Sequence, residues 1–163
     1  AVAVTANQAM NYLSTGEAPG RIGNFHPNLT PYQVFDCADG YLIIAVGNDG
    51  QYRRFCDLLG VAELGQHPDY ASNAGRVENR TALSALLTEK TAQMTKEALL
   101  AACEGAGVPA GPINSLDEVF ADPQVKARGM QIAPGGVPGV RTPITFSDAE
   151  LDLDRPSPKL GGG

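Results

Sequence analysis

The stretch Tyr32-Gln33-Val34-Phe35-Asp36-Cys37-Ala38-Asp39-Gly40-Tyr41-Leu42-Ile43-Ile44-Ala45-Val46 decides how the chain folds. β-Branched and aromatic residues crowd both halves, which suits a pleated and half-buried surface. An Asp-Gly pair between two such runs is a strong reversal signal. The stretch therefore predicts a β-hairpin with strands over Tyr32 to Cys37 and Tyr41 to Val46.

Beyond the hairpin, Gly47-Asn48-Asp49-Gly50 breaks the second run and hands over to a helix from about Gln51 to Leu59. Tyr52, Phe55, Cys56 and Leu59 fall on one face of it, and Gly60 stops it. Asp49, just ahead of that helix, reads as an N-terminal cap or dipole partner rather than an acid catalyst. His67-Pro68-Asp69-Tyr70 through Gly75 reads as turns. Val77 to about Met94 predicts the longest helix, with Leu83, Leu86 and Leu87 inward. Thr95 is a plausible cap for a further helix through Leu99, Leu100 and Cys103, closed by Gly105-Ala106-Gly107. Val108 to Asn114 contains Pro109 and Pro112, each lacking a ladder donor, so it predicts an extended edge segment.

Ser115-Leu116-Asp117-Glu118 spells a capping box ahead of a short helix, and Asp122-Pro123 restarts a helical turn that Gly129 closes. Met130 to Ala133 and Val140 to Phe146 predict two strands across the reversal Pro134 to Gly139. From Ser147 onward an extended tail is expected, which packs on something outside itself. Ahead of the hairpin, Ala3 to Leu13 predicts a helix with Ala6, Ala9, Met10 and Leu13 on one stripe. Helices and strands do not alternate regularly, so the expected class is α+β, not a doubly wound parallel sheet.

With 163 residues, 43% of them hydrophobic, the chain can form one ordinary domain or a small domain with extra segments. Its net charge of −6 and 12 scattered Lys and Arg residues argue against a nucleic-acid surface. No apolar run approaches the ~20 residues that span a bilayer, and no signal peptide is visible. Cys37, Cys56 and Cys103 are widely spaced without a neighbouring His, which predicts reduced thiols and a cytoplasmic location. His26 and His67 are too far apart in sequence to suggest a metal site. No P-loop, GxGxxG fingerprint or GxSxG elbow is present.

The candidate functional stretch is Pro19-Gly20-Arg21-Ile22-Gly23-Asn24-Phe25-His26-Pro27-Asn28-Leu29-Thr30-Pro31-Tyr32-Gln33. Glycines open backbone angles closed to other residues, prolines stiffen the exit, and Arg21, Asn24, His26 and Asn28 supply polar groups. Residue types alone favour a solvated connector. A shaped, polar loop held by a scaffold is also where binding groups tend to sit.

One ordered set of words resolves that balance: Arg21-Ile22-Gly23-Asn24, Pro31-Tyr32-Gln33-Val34-Phe35, Asp39-Gly40-Tyr41, Val46-Gly47-Asn48, Gln51-Tyr52 and Phe55-Cys56. It continues through Asn73, Arg76, Asn79-Arg80, Gly107-Val108-Pro109, Gly111-Pro112-Ile113-Asn114, Asp122-Pro123-Gln124 and Arg128-Gly129-Met130. From about Tyr12 to Leu160 the chain resembles the class III coenzyme A transferases, a group that also includes α-methylacyl-CoA racemase. Its dicarboxylate, succinyl-CoA-type members are the best match.

The resemblance implies that this is the later part of a longer enzyme whose Rossmann-like large domain is missing here. Residues 1–31 would be a linker helix and loop, 32–130 a small α+β domain, and 131–163 return strands and tail. It implies an interlocked homodimer when full length. Acyl-CoA and small carboxylic acids would be substrates, with coenzyme A entering only as substrate and no tightly bound cofactor or metal. The nucleophilic Asp would lie upstream, leaving no catalytic residue in these 163 positions and the stretch inactive alone. The family's mobile glycine-rich loop over the aspartyl-CoA thioester would fall on Gly23, Asn24, Phe25, His26, Pro27 and Asn28, with Phe25 and His26 in place of smaller residues. A racemase-type member and a non-catalytic interaction or dimerisation module are the alternatives.

Overall fold

A computed structural model of the chain describes residues 2–158 together with Leu160 and Gly161. Strands β1 (Tyr32–Cys37) and β2 (Gly40–Ala45) pair antiparallel, with Tyr32 opposite Ala45 and Cys37 opposite Gly40. Ala38 and Asp39 make the two-residue turn expected of the Asp-Gly signal. Phe35, Leu42 and Ile44 point into the core, while Tyr41 and Ile43 face outward, as the two-residue period of a strand requires. β3 (Ala110–Ile113) adds to the free edge of β2, giving the order β1-β2-β3. Pro112 is tolerated because β3 is an edge strand.

α2 (Asp49–Leu58) buries Tyr52, Phe55 and Cys56, and Leu59 follows at its end. The cap is Asn48, whose side chain accepts from the Gln51 amide at 2.9 Å, and Asp49 sits in the first turn at the positive end of the dipole. The helix expected over Val77 to Met94 is instead two helices, α3 (Asn73–Glu78) and α4 (Arg80–Thr91). Asn79 breaks them apart: its backbone turns to φ −100, ψ 21, and both its amide and its side chain donate to the Gly75 carbonyl. Leu83 and Leu87 of α4 are buried, but Leu86 is exposed. Thr95 caps α5 (Lys96–Ala106) through the Ala98 amide, and Leu99 and Cys103 complete the core. Asp39 in the hairpin turn accepts from the Lys96 amide at 2.7 Å, tying sheet to helix.

Residues Ala1–Ile113 form one compact unit and Asn114–Gly163 a second. The second contains α6 (Leu116–Ala121), opened by the Ser115 capping box, and α7 (Pro123–Ala127), capped by Asp122. Its sheet is smaller than expected: β4 (Gln131–Ile132) pairs with β5 (Gly139–Val140), and no strand runs on to Phe146. β4 offers only two residues to pair with, and Pro143 removes a donor from the expected run. The tail from Ser147 has neither helix nor strand among the described residues.

α1 (Ala6–Thr15) follows a 3-10 turn and ends at Gly16 in the left-handed region. The stripe expected to be buried is not, since Met10 and Leu13 are 60% and 72% exposed. No residue of α1 is buried, and its described hydrogen bonds to other segments come from asparagine side chains on a polar face. No helix among the described residues is long and apolar enough to cross a membrane.

Candidate functional site

The six candidate residues form one turn-rich passage between α1 and β1. Gly23, at φ 66, occupies a conformation that side chains disfavour, and it lets the chain reverse. Asn24 follows and accepts from the Val34 amide at 3.0 Å, so the passage is fastened to the first strand. The His26 amide donates to the Tyr32 carbonyl at 2.9 Å, and the two rings stack with centroids 4.9 Å apart. A stacked ring loses rotamer freedom, so the imidazole is presented in one orientation.

Two arginines hold the passage from the helical side. Arg80, at the start of α4, donates to the carbonyls of His26 (3.1 Å) and Pro27 (2.9 Å), with its guanidinium 5.6 Å from the centre of the Phe25 ring. Arg76 on α3 is fully buried. It donates to the carbonyls of Thr30 (2.7 Å) and Tyr70 (2.9 Å), pairs with Asp49 at 2.8 Å, and lies 4.3 Å over the Tyr52 ring. A buried cation is tolerable only when its donors are satisfied, and here oxygen acceptors surround it. Asn73 adds a clamp, donating to the Asn28 carbonyl at 2.8 Å and accepting from the Thr30 amide at 3.3 Å.

α3 can supply these groups because it lies close to the preceding turn. A Cβ on Gly75 would stand 2.5 Å from the Asp69 carbonyl oxygen, so glycine permits the approach. His67 is apart from this arrangement: its Nδ1 accepts from the Asp69 amide, the turn role its Pro68 neighbour suggests. Asn73, Arg76 and Arg80 carry part of the resemblance but no role in the sequence reading. Asn7 and Asn11, whose side chains reach His26 and Asn28, are given no site role in it either. The available signal is spacing: Asn7 and Asn11 stand one turn apart on α1, and Arg76 and Arg80 are likewise four residues apart, though on either side of the Asn79 break.

Burial pushes the thiols of Cys56 and Cys103 up to about 11, which leaves them protonated and unreactive at neutral pH. Cys37, at the end of β1, is also raised, first by burial and then by the charges of Asp39 and Asp36. The described residues contain no group of three or more His, Cys, Asp or Glu side chains placed to hold a metal ion. What the passage does present is a backbone-anchored loop with a fixed imidazole.

Residues 1–163 match the profile of CoA-transferase family III, and the chain belongs to that family. It is 52% identical to the succinate–glutarate CoA-transferase of Agrobacterium fabrum, over 98% of this chain and 41% of that protein. It is 35% identical to the human succinyl-CoA:glutarate CoA-transferase, over 98% of this chain and 38% of that protein. A crystal structure of a CAIB/BAIF family protein from Brucella suis superposes with a TM-score of 0.85 at 58% identity, covering 96% of this chain and 42% of that one. The chain thus spans about two fifths of the length of the relatives it matches.

Proposed function

We propose that this chain is the C-terminal region of a dicarboxylate CoA-transferase and that residues 23–28 cover the reacting thioester. The observation that carries the reading is the 52% identity to a succinate–glutarate CoA-transferase across nearly the whole chain. In the proposed reaction an upstream aspartate attacks the donor thioester, giving a mixed anhydride and free CoA thiolate. The thiolate attacks the aspartyl carbonyl, releasing the donor acid and leaving an aspartyl-CoA thioester. The acceptor carboxylate repeats both steps in reverse. Anhydrides hydrolyse readily, so a loop that keeps water out while admitting a carboxylate is the contribution this region can make.

His26 suits that task. Its ring is fixed against Tyr32, and an imidazole N–H can donate to the distal carboxylate of a dicarboxylate substrate. On this reading residues 32–130 are the small domain, 131–163 return to the large domain, and the full-length protein works as a homodimer in the cytoplasm. A full-length preparation is expected to move CoA from succinyl-CoA to a second dicarboxylate. His26→Ala is expected to raise the KM for the dicarboxylate about tenfold while a monocarboxylate acceptor is little affected, the size of one lost hydrogen bond to a charged group. Absence of CoA transfer to any carboxylate, with racemisation of 2-methylacyl-CoA in its place, would overturn the assignment.

A further inference from the structure

The candidate loop is gripped from two sides, and the two grips differ in kind. Arg80 and Asn73 hold its backbone carbonyls and one backbone amide. Of its polar side chains, Asn24 is tied to the Val34 amide of β1, whereas His26 and Asn28 are met from outside the loop by α1 among the described hydrogen bonds. Asn11 and Asn28 exchange a reciprocal pair of amide bonds at 2.9 and 3.1 Å, and the Asn7 amide lies 3.4 Å from Nε2 of His26. Because Asn7 and Asn11 are one turn apart on the helix, and His26 and Asn28 two residues apart in the loop, the four side chains form a clasp.

The clasp also specifies the imidazole. Nδ1 of His26 accepts the Asn28 backbone N–H at 3.1 Å, so the neutral ring carries its proton on Nε2. That N–H faces Asn7. A half-turn of the Asn7 amide places its Oδ1, not its NH2, against Nε2 and makes the pair a donor and an acceptor. The Nε2–H is the group the proposed function assigns to the substrate carboxylate, so Asn7 would occupy it while the site is empty and yield it to the substrate.

Within the described chain no residue of α1 is buried, and Met10, Tyr12 and Leu13 are exposed. We propose that α1 is the arm that aims the loop, with Asn7 and Asn11 as positioning residues for His26 and Asn28. The proposal rests on the loop being the substrate-facing element, so its test includes a readout independent of activity.

In the full-length protein, the ring nitrogen shifts of His26 are expected to report the Nε2–H tautomer. Asn11→Leu, which keeps the shape and favours the helix, is expected to speed amide exchange at His26 and Asn28 about tenfold. The melting temperature should stay within about 2 °C, because no core contact is lost. Asn11→Asp, which retains an acceptor for the Asn28 amide, is expected to restore part of the protection. An Nδ1–H tautomer, or exchange at His26 and Asn28 unchanged in Asn11→Leu, overturns the proposal whatever the enzyme's activity. Faster exchange with an unaltered KM for the dicarboxylate sustains the clasp and sinks the assignment of the loop to the substrate.

Discussion

Residues 35–108 and residues 114–161 draw on the same kinds of apolar side chain and use them in opposite ways. In the first stretch Phe35, Leu42, Ile44, Phe55, Leu83, Leu87 and Leu99 are essentially inaccessible to solvent. In the second no described residue is buried, and Leu116, Val140 and Phe146 are 76%, 66% and 56% exposed. The second stretch is poorer in apolar residues and richer in proline, which shortens its helices and strands. The hairpin with α2, α4 and α5 encloses a volume from several sides, whereas α6, α7 and two strands of two residues each are too short to do so. The contrast teaches that the core this chain builds for itself lies in the first unit, and that no described residue of the second adds to it.

Four measurements can break or sharpen that contrast. Phe55→Ala is expected to cost about 3–5 kcal/mol in urea unfolding, whereas Phe146→Ala in the second unit should change stability by less than about 0.5 kcal/mol. A loss above about 2 kcal/mol from Phe146→Ala would erase the distinction. Arg76→Met comes next, at about 3 kcal/mol, because the carbonyls of Thr30 and Tyr70 lose their donor in a buried setting. If Arg76→Met proves as stable as the parent, the buried network is not what anchors the loop to the core.

The third measurement is pH dependence. Cys56 and Cys103 have folded values raised from 9.0 to about 11, so the folded state holds their protons more tightly than the unfolded chain. Their contribution is fully present below pH 9 and is lost as pH rises from 9 through 11. Urea midpoints should be insensitive to these thiols at neutral pH and fall across that window, and Cys103→Ala should flatten the fall. A midpoint that declines equally steeply in Cys103→Ala would mean the thiol is not responsible. The smallest effect is at a cap: Asn48→Ala should cost about 1 kcal/mol in the first unit, where α2 is part of the core. Ser115→Ala, which removes an equivalent cap from the exposed α6, should alter the global unfolding midpoint by less.

Legibility in the sequence followed the range over which each signal acts. The hairpin, the Thr95 cap and the Ser115 capping box are written within four or five neighbouring residues, and each appears where those residues place it. The continuous helix over Val77 to Met94 failed because periodicity does not register a polar side chain that takes its own helix's carbonyl, as Asn79 does. The α1 stripe failed for a different reason. Ala6, Ala9, Met10 and Leu13 have the spacing of a buried face, yet the neighbour that meets α1 is the polar loop, and it engages the asparagines.

By itself, then, the order of residues determined the α+β class, the turn at Ala38-Asp39, the helix caps at Thr95 and Ser115 and the membership of the CoA-transferase family. All of these depend on local hydrogen bonding, side-chain alternation or an ordered series of words along one dimension. Only the tertiary structure decided that Arg76 is a buried anchor, that Arg80 and Asn73 grip the loop, and that α1 presents Asn7 and Asn11 to it. Arg76 and the Thr30 carbonyl are 46 positions apart, and Arg80 and the His26 carbonyl 54. Contacts of that length depend on the core that packs α2, α4 and α5 together, because packing, not sequence proximity, brings such groups within hydrogen-bonding distance.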